Sequence, residues 1–368
     1  MKISRIARIS AIGAIAALAL AGCAANEPST PAGSDAPSAS TLEGTIKATG
    51  ASSQTAAQEA WTKAFQEANT GATVVYEPTG SGTGRENFLS GASNFIGSDR
   101  AFNDEEIAAG GFKTCTADDI VEVPVYISPV ALAFNLEGVE TLNLDATTIA
   151  SIFAGKIAKW NDPAIAALNP DAKLPDAPVA PVHRSDKSGT TGTFTAYLHA
   201  TAPDVWTWED DDTWPIQSGE SAQQTSGVAQ AISAGAGTIG YLDASQIPDG
   251  AGQVHVKSGD DFVAYSAEAA AALVESAPLA TGRGESDIVF DVDPASAASG
   301  SYPIALVSYA IGCVNYEDKN IATLVKSYFE YIISADGQKA AADNAGSAPI
   351  SDAVREKAQA AIDRIVTK

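Results

Sequence analysis

The segment "HRSDKSGTTGTFTAYL", residues 183–198, sets an arginine, an aspartate and a run of hydroxyls and glycines where a strand pattern turns into a helix pattern. Arg184 offers a planar fork of N–H donors that matches an oxyanion. Asp186, two residues on, can hold that fork by accepting part of it. Ser188, Gly189 and Thr190 fall where the first helical amides have no internal acceptor and face the positive end of the dipole. Such a turn can cradle an anion. Two further segments repeat the design: "TIKATG-ASSQTAAQEAW", with Ser52 and Ser53, and "TVVYEPT-GSGTG-RENFL", with Ser81. Taken singly, each serine reads as an ordinary helix cap and Arg184 as a surface ion pair. Three such turns in one chain, one of them carrying an arginine, favour a shared anion site.

Asp99, in "FIGSDRAF", reads either as a cap for the following helix or as an acceptor facing that site. A carboxylate repels an anion unless the anion still carries a proton to donate. Phosphate near neutral pH has one and sulfate does not, so an Asp99 that faced the site would favour phosphate by leaving sulfate with an unmatched acceptor. Arg100 beside it is expected to face solvent or Asp104 and Glu105.

The elements that must position these residues alternate. Strand patterns at "GTIKATG", "ATVVYEPTG" and "SNFIGSDRAF" are separated by helices, the first with Ala57, Trp61, Phe65 and Ala68 on one face. The last helix carries Val354, Ala358, Ala361, Ile362 and Ile365 on one face. The alternation indicates an α/β fold. Two long β runs, 121–136 and 302–314, are candidate crossover strands between two lobes with a ligand cleft between them. Pro124 and Pro129 are expected to break the first of these runs. A chain of 368 residues is long enough for two domains.

With 22 basic and 45 acidic residues, a formal charge of −23, the chain would repel nucleic acid and anionic lipid. A small anion held by short-range hydrogen bonds is not excluded, because exposed charge is screened over about 8–10 Å. Residues 1–22 carry a basic start and an apolar run ending in Leu20-Ala21-Gly22-Cys23, which resembles a bacterial lipobox. That implies cleavage before Cys23 and lipid on its sulfur; the alternative is an ordinary signal peptide with a chance cysteine. Residues 23–41 read as a flexible spacer. Cys115 and Cys313 then remain, either as a disulfide or as two buried thiols. The histidines, His183, His199 and His255, are scattered, and no cluster has metal-ligand spacing, so no metal and no cofactor are expected. "WTWEDDDTWP" reads as a solvated acidic loop with packed tryptophans.

Taken together, "GASSQTAAQEAW", "GSGTG", "IGSD", "GKIAKWNDPAIAALNP", "HRSDKSGTTGTFTAYL" and "GTIGYLD" resemble, in order, the phosphate-binding proteins of bacterial phosphate-specific ABC importers. The resemblance implies a two-lobed, type II periplasmic-binding-protein fold, with lobe I formed by 42–128 and 306–368 and lobe II by 129–305. It implies phosphate ligands at Ser52, Ser53, Ser81, Asp99, Arg184, Ser188, Gly189 and Thr190, with Asp186 orienting the arginine. Many members have Thr-Phe-Pro where this chain has Ser52-Ser53-Gln54, and the second of those positions acts largely through its backbone N–H. The implied protein is not an enzyme. It is a monomeric lipoprotein on the outer face of the cytoplasmic membrane that binds inorganic phosphate and passes it to membrane permease subunits. Three other readings stay open: an exported phosphohydrolase using Ser188 or Thr190 with His183 as base, a binding protein for another oxyanion, and an adhesin or signalling lipoprotein that has lost the ligand.

Overall fold

A computed structural model describes residues 42–116 and 119–367. The expected leader, spacer and lipid-bearing Cys23 lie outside the described residues. Eleven strands make one mixed sheet whose first half contains β1 (Glu43–Gly50), β2 (Gly71–Glu77), β3 (Phe95–Ser98) and the start of β4 (Ile120–Phe134). The rest of β4 joins the second half with β5 (Thr141–Leu144), β6 (Ala180–Arg184), β7 (Glu220–Ala222), β8 (Thr238–Asp243), β9 (Gly252–Ser258) and β10 (Asp261–Val263). The last strand, β11 (Ala305–Cys313), returns to the first half. The path runs β2-β1-β3-β11-β4-β8-β6-β7, with β9 pairing with β4, β5 and β10. β1 is parallel to β2 and β3, and β6 is parallel to β7 and β8. β11 and β8 run antiparallel to β4.

The two long β runs differ in how they cross. β4 is common to both halves: residues 120–129 pair with β11 and residues 130–134 with β8. β11 pairs only with β3 and β4, and the chain reaches it through Ile304, whose carbonyl accepts from Val130 N at 2.8 Å. Every residue of both strands is buried, as expected for strands covered on both faces. Pro124 and Pro129 do not break β4, contrary to the sequence expectation. The lost donor at Pro124 is absorbed by an irregularity in which Ser308 pairs with Tyr126 and Tyr309 with Pro124, leaving Val125 as the extra residue.

Helices cover the sheet: α1 (Thr55–Ala68), α2 (Ser81–Ser90), α3 (Asp104–Ala109), α4 (Ala146–Phe153), α5 (Pro163–Leu168) and α6 (Gly189–Thr201) in the first part of the chain. They continue as α7 (Gln224–Ala234), α8 (Ala267–Ser276), α9 (Lys319–Ile333), α10 (Ala335–Ala345) and α11 (Asp352–Asp363). On α1 the expected apolar face holds at Ala57, Trp61 and Phe65, but Ala68 is exposed because the helix ends there, beyond the sheet. Gln58 is buried instead. Cys115 and Cys313 are joined by a disulfide. Among the described residues no helix is long and apolar enough to cross a membrane. The turns that follow β1, β2, β3 and β6 carry the serines and Asp99, and Arg184 ends β6. In an open α/β sheet that is the end where ligands bind.

Candidate anion-binding site

Asp99, Ser81 and the start of α6 meet at one point. The amide of Asp99 donates to Ser81 Oγ at 3.1 Å, and Thr190 Oγ1 donates to Asp99 Oδ2 at 3.0 Å. Gly189 lies against both: a Cβ there would stand 2.5 Å from Asp99 Cβ and 2.9 Å from Ser81 Oγ. Ser53 Oγ donates to Asp99 Oδ1 at 2.5 Å. All of these residues are buried. Asp99 therefore does not cap the next helix; Asn103 does, in a capping box with Glu106.

Arg184 is carried at the end of β6. Its Nε and Nη2 donate to Asp186 Oδ1 and Oδ2 at 2.8 and 2.5 Å. Among the described hydrogen bonds nothing accepts from Nη1. Asp186 also accepts the amide of Gln224 at 3.0 Å. Gln224 is the single described non-glycine residue with positive φ, 62°, a strain that is kept where surrounding contacts demand it. Burial raises the Asp186 carboxyl, but the Arg184 hydrogen bond and charge outweigh it and hold the group below its ordinary range. Gly80, with φ 96°, begins α2 against this pair; a Cβ there would stand 2.6 Å from Asp186 Oδ2. The starts of α2 and α6 thus face each other, and Gly82 N donates to Lys187 O at 3.1 Å.

The decisive feature is a set of unspent donors. Ser53, Ser81, Gly189 and Thr190 are buried residues, and none of their amides has a protein acceptor among the described hydrogen bonds. Buried amides are almost always paired. Four such amides, with the charge of Arg184 acting on Asp99 among them, form a cradle that an anion would complete. One acceptor, Asp99, stands among them. Burial pushes its carboxyl above the ordinary value, against the opposing hydrogen bonds of Ser53, Ser308 and Thr190 and the charge of Arg184.

Two expected ligands also serve the fold. Ser52 Oγ lies 2.9 Å from Thr225 Oγ1 and accepts the Thr225 amide at 3.1 Å, tying the first turn to α7. The Ser188 hydroxyl caps α6, accepting from Thr191 N at 3.2 Å. Arg100 departs from expectation too. It bonds Glu106 at 2.7 Å and Asp212 at 3.1 Å, because the acidic loop is not wholly solvated: Asp212 turns inward and also pairs with Arg85. The loop's Trp206 and Trp214 are buried as expected.

Residues missed from the sequence include Ser308, whose hydroxyl donates to Asp99 Oδ1 at 2.7 Å. Tyr241 was missed as well; its hydroxyl accepts the Arg184 amide at 3.2 Å and lies 2.7 Å from Thr191 Oγ1. A lone hydroxyl in the otherwise apolar "IALVSYAIGC" was the available signal for Ser308, since a buried hydroxyl needs a partner. His183 does not serve Ser188 or Thr190. Its ring stacks on Trp214 at 5.0 Å, and its Nδ1 donates to Arg184 O at 2.9 Å. That geometry gives the hydrolase reading no base. Among the described residues no group of three or more potential ligands could hold a metal ion.

Residues 35–336 match the model of a PBP superfamily domain. The chain is 34% identical to phosphate-binding protein PstS 3 of Mycobacterium tuberculosis (strain ATCC 25618 / H37Rv), over 87% of this chain and 86% of that protein. It is 31% identical to PstS 2 of the same strain, over 99% and 100% of the two chains. In structure it is similar to a high-affinity periplasmic phosphate-binding protein, PfluDING, bound with phosphate: TM-score 0.68, 21% identity, 86% of this chain and 93% of that one. A phosphate-binding protein from Stenotrophomonas maltophilia gives a TM-score of 0.63 at 20% identity, covering 86% and 94%. The mixed sheet, the shared strand β4 and these relationships together mark a type II periplasmic-binding-protein fold, and the chain belongs to the PBP superfamily and, within it, to the PstS phosphate-binding protein family.

Proposed function

We propose that this chain binds inorganic phosphate at the meeting point of α1, α2 and α6 and delivers it to the permease subunits of an ABC importer. The observation that carries this reading is the set of four unpaired amides on buried residues gathered around one acceptor carboxylate, on which the charge of Arg184 also acts. Phosphate satisfies the donors with its oxygens and donates a hydrogen bond to Asp99; sulfate satisfies the donors only. Ser53, Ser81, Gly189 and Thr190 contribute backbone N–H groups, Arg184 the one formal positive charge, and Asp186 holds that arginine. Ser52 and Ser188 act by fixing the first and last turns. No covalent chemistry is required of any of them.

The protein works outside the cytoplasmic membrane as a monomer, tethered through lipid on Cys23 by the spacer 23–41. Residues 42–128 with 306–368, and residues 129–305, act as two lobes that open and close about the segments shared between the halves of the sheet. Titration calorimetry with phosphate and sulfate, on wild type and Asp99→Asn, tests the reading. Wild type is expected to bind phosphate and reject sulfate, and the variant to lose most of that discrimination. Equal rejection of sulfate by both proteins would remove Asp99 from the selective role.

A further inference from the structure

Asp99 is held by more than its neighbours in the cradle. Ser308, on β11, donates to Asp99 Oδ1 at 2.7 Å and accepts from Gln54 Nε2 at 2.6 Å. The same Nε2 donates to Tyr309 O at 3.2 Å. Gln54 Oε1 accepts from Gln58 Nε2 at 2.8 Å, and Gln58 Oε1 accepts from Tyr328 OH at 2.8 Å. Tyr328, Gln58, Gln54, Ser308 and Asp99 are all buried.

The direction of this chain is not free. A carbonyl can only accept, so Tyr309 O requires the nitrogen of Gln54 to face it, and the oxygen to face Gln58. Ser308 therefore receives one hydrogen from Gln54 and has its own left for Asp99. The irregular pairing of β11 with β4 falls between Ser308 and Tyr309, and such a kink re-aims side chains. A carboxylate has about four acceptor positions. Ser53 and Ser308 fill both on Oδ1, and Thr190 takes one of the two on Oδ2. One remains.

We propose that Tyr328, Gln58, Gln54 and Ser308 form a one-way hydrogen-bond relay that keeps Asp99 an acceptor with a single open position, making Ser308 a positioning residue for the rejection of unprotonated oxyanions. This rests on the phosphate reading above. Without the relay, Oδ1 gains an open position on which Asp99 can carry a proton of its own. A protonated Asp99 is neutral, and a neutral group no longer repels a doubly charged anion, so sulfate is rejected less. The other titratable groups acting on Asp99 are Arg184, which favours its ionised form, and Tyr76, whose hydroxyl donates to Ala51 O at 2.9 Å. Neither is altered by a change at Ser308.

The test is calorimetric binding of phosphate and sulfate between pH 5.5 and 8.5, on wild type, Ser308→Ala and Ser308→Thr. Ser308→Ala is expected to lower the ratio of sulfate to phosphate Kd about tenfold at pH 5.5 and far less at pH 8.5, with Ser308→Thr restoring the wild-type ratio at both. A tenfold change corresponds to about 1.4 kcal/mol. If Ser308→Ala weakens both anions alike with an unchanged pH profile, Ser308 is structural and the relay is overturned. Wild type that binds no phosphate at all removes the phosphate reading itself, a distinct failure. Should Ser308→Ala not fold, Ser308→Cys keeps the volume with a weak donor, and an unmoved sulfate ratio at pH 5.5 in that variant overturns the proposal equally.

Discussion

Asp212 and Arg85 form an ion pair in which both side chains are buried, 7% and 5% exposed. It joins the tryptophan-rich loop to α2, the helix that begins at Ser81. The carbonyl of Asp212 accepts the amide of Ser188 at 2.8 Å, so the same residue also fixes the start of α6. Arg100 and Glu106 extend the cluster, and Arg85 reaches Ser98 Oγ at 2.9 Å. Burying two charges is costly, and their attraction repays it only while both remain.

Removing one partner is therefore the severe change. Asp212→Asn leaves Arg85 only the more distant carboxylate of Glu106, 3.6 Å from its Nε, and is expected to cost about 3 kcal/mol. Arg85→Met combined with Asp212→Leu should cost less than the sum of the two single changes. Guanidinium unfolding followed by tryptophan emission reads both. Additive losses would mean that the pair is not coupled.

Arg184 carries the one formal positive charge of the cradle, and its geometry depends on a planar fork. Two of its nitrogens are spent on Asp186, leaving Nη1 for ligand. Lysine keeps the charge but cannot make both contacts at once. Arg184→Lys is expected to weaken phosphate binding by about 10²-fold, the loss of roughly two charge-assisted hydrogen bonds at 1.5–3 kcal/mol each, partly recovered by the ammonium. Calorimetry decides this. An affinity within threefold of wild type would show that Arg184 acts only as a charge.

Gly189 is a steric requirement. Because an added Cβ would stand 2.5 Å from Asp99 Cβ, Gly189→Ala must push α6 and Asp99 apart. Overpacking of this kind costs about 1–3 kcal/mol of stability. The displacement falls on the binding amides, so phosphate affinity should drop at least tenfold while the fold survives. A variant with wild-type affinity and a normal melting temperature would contradict the described packing.

The donors are more legible in the sequence than their partners. Glycines and hydroxyls at the starts of helices announce themselves because strand and helix periods change around them. The α/β alternation and the shared strand were legible for the same reason. Contacts between distant elements were not. Ser308 lies 209 residues from Asp99, and Arg85 lies 127 from Asp212. No local period records such pairs. "WTWEDDDTWP" looked solvated because a run of three aspartates normally is, and only the fold shows that one of them meets two arginines. Likewise β4 passes Pro124 because its pairing with β11 shifts there, with Val125 as the extra residue, a property of the pair and not of either strand alone.

Asp243 supplies a prediction about pH. It ends β8, is fully buried, and accepts from Tyr126 OH at 3.0 Å and from Ser245 N at 2.9 Å. Its Oδ2 has no partner. Burial pushes its carboxyl up to about 6, despite the opposing hydrogen bonds of Ser245, Ser128 and Tyr126. In the unfolded chain an aspartate titrates near 3.9. Between these values the folded protein binds more protons than the unfolded one, so stability falls as pH rises from about 4 to about 6. The contribution is fully present below pH 4 and fully lost above pH 6 or so, roughly 3 kcal/mol in all. Asp243→Asn cannot titrate and keeps an acceptor for Tyr126 and Ser245. The offset between variant and wild type depends on how the new amide packs at the unpartnered Oδ2 position, so the informative quantity is its change with pH. Thermal melts at pH 4 and pH 7.5 should show the variant gaining on wild type by about that amount over the interval. A constant difference would mean that Asp243 titrates at its ordinary value, and that its unpaired oxygen is reached by water.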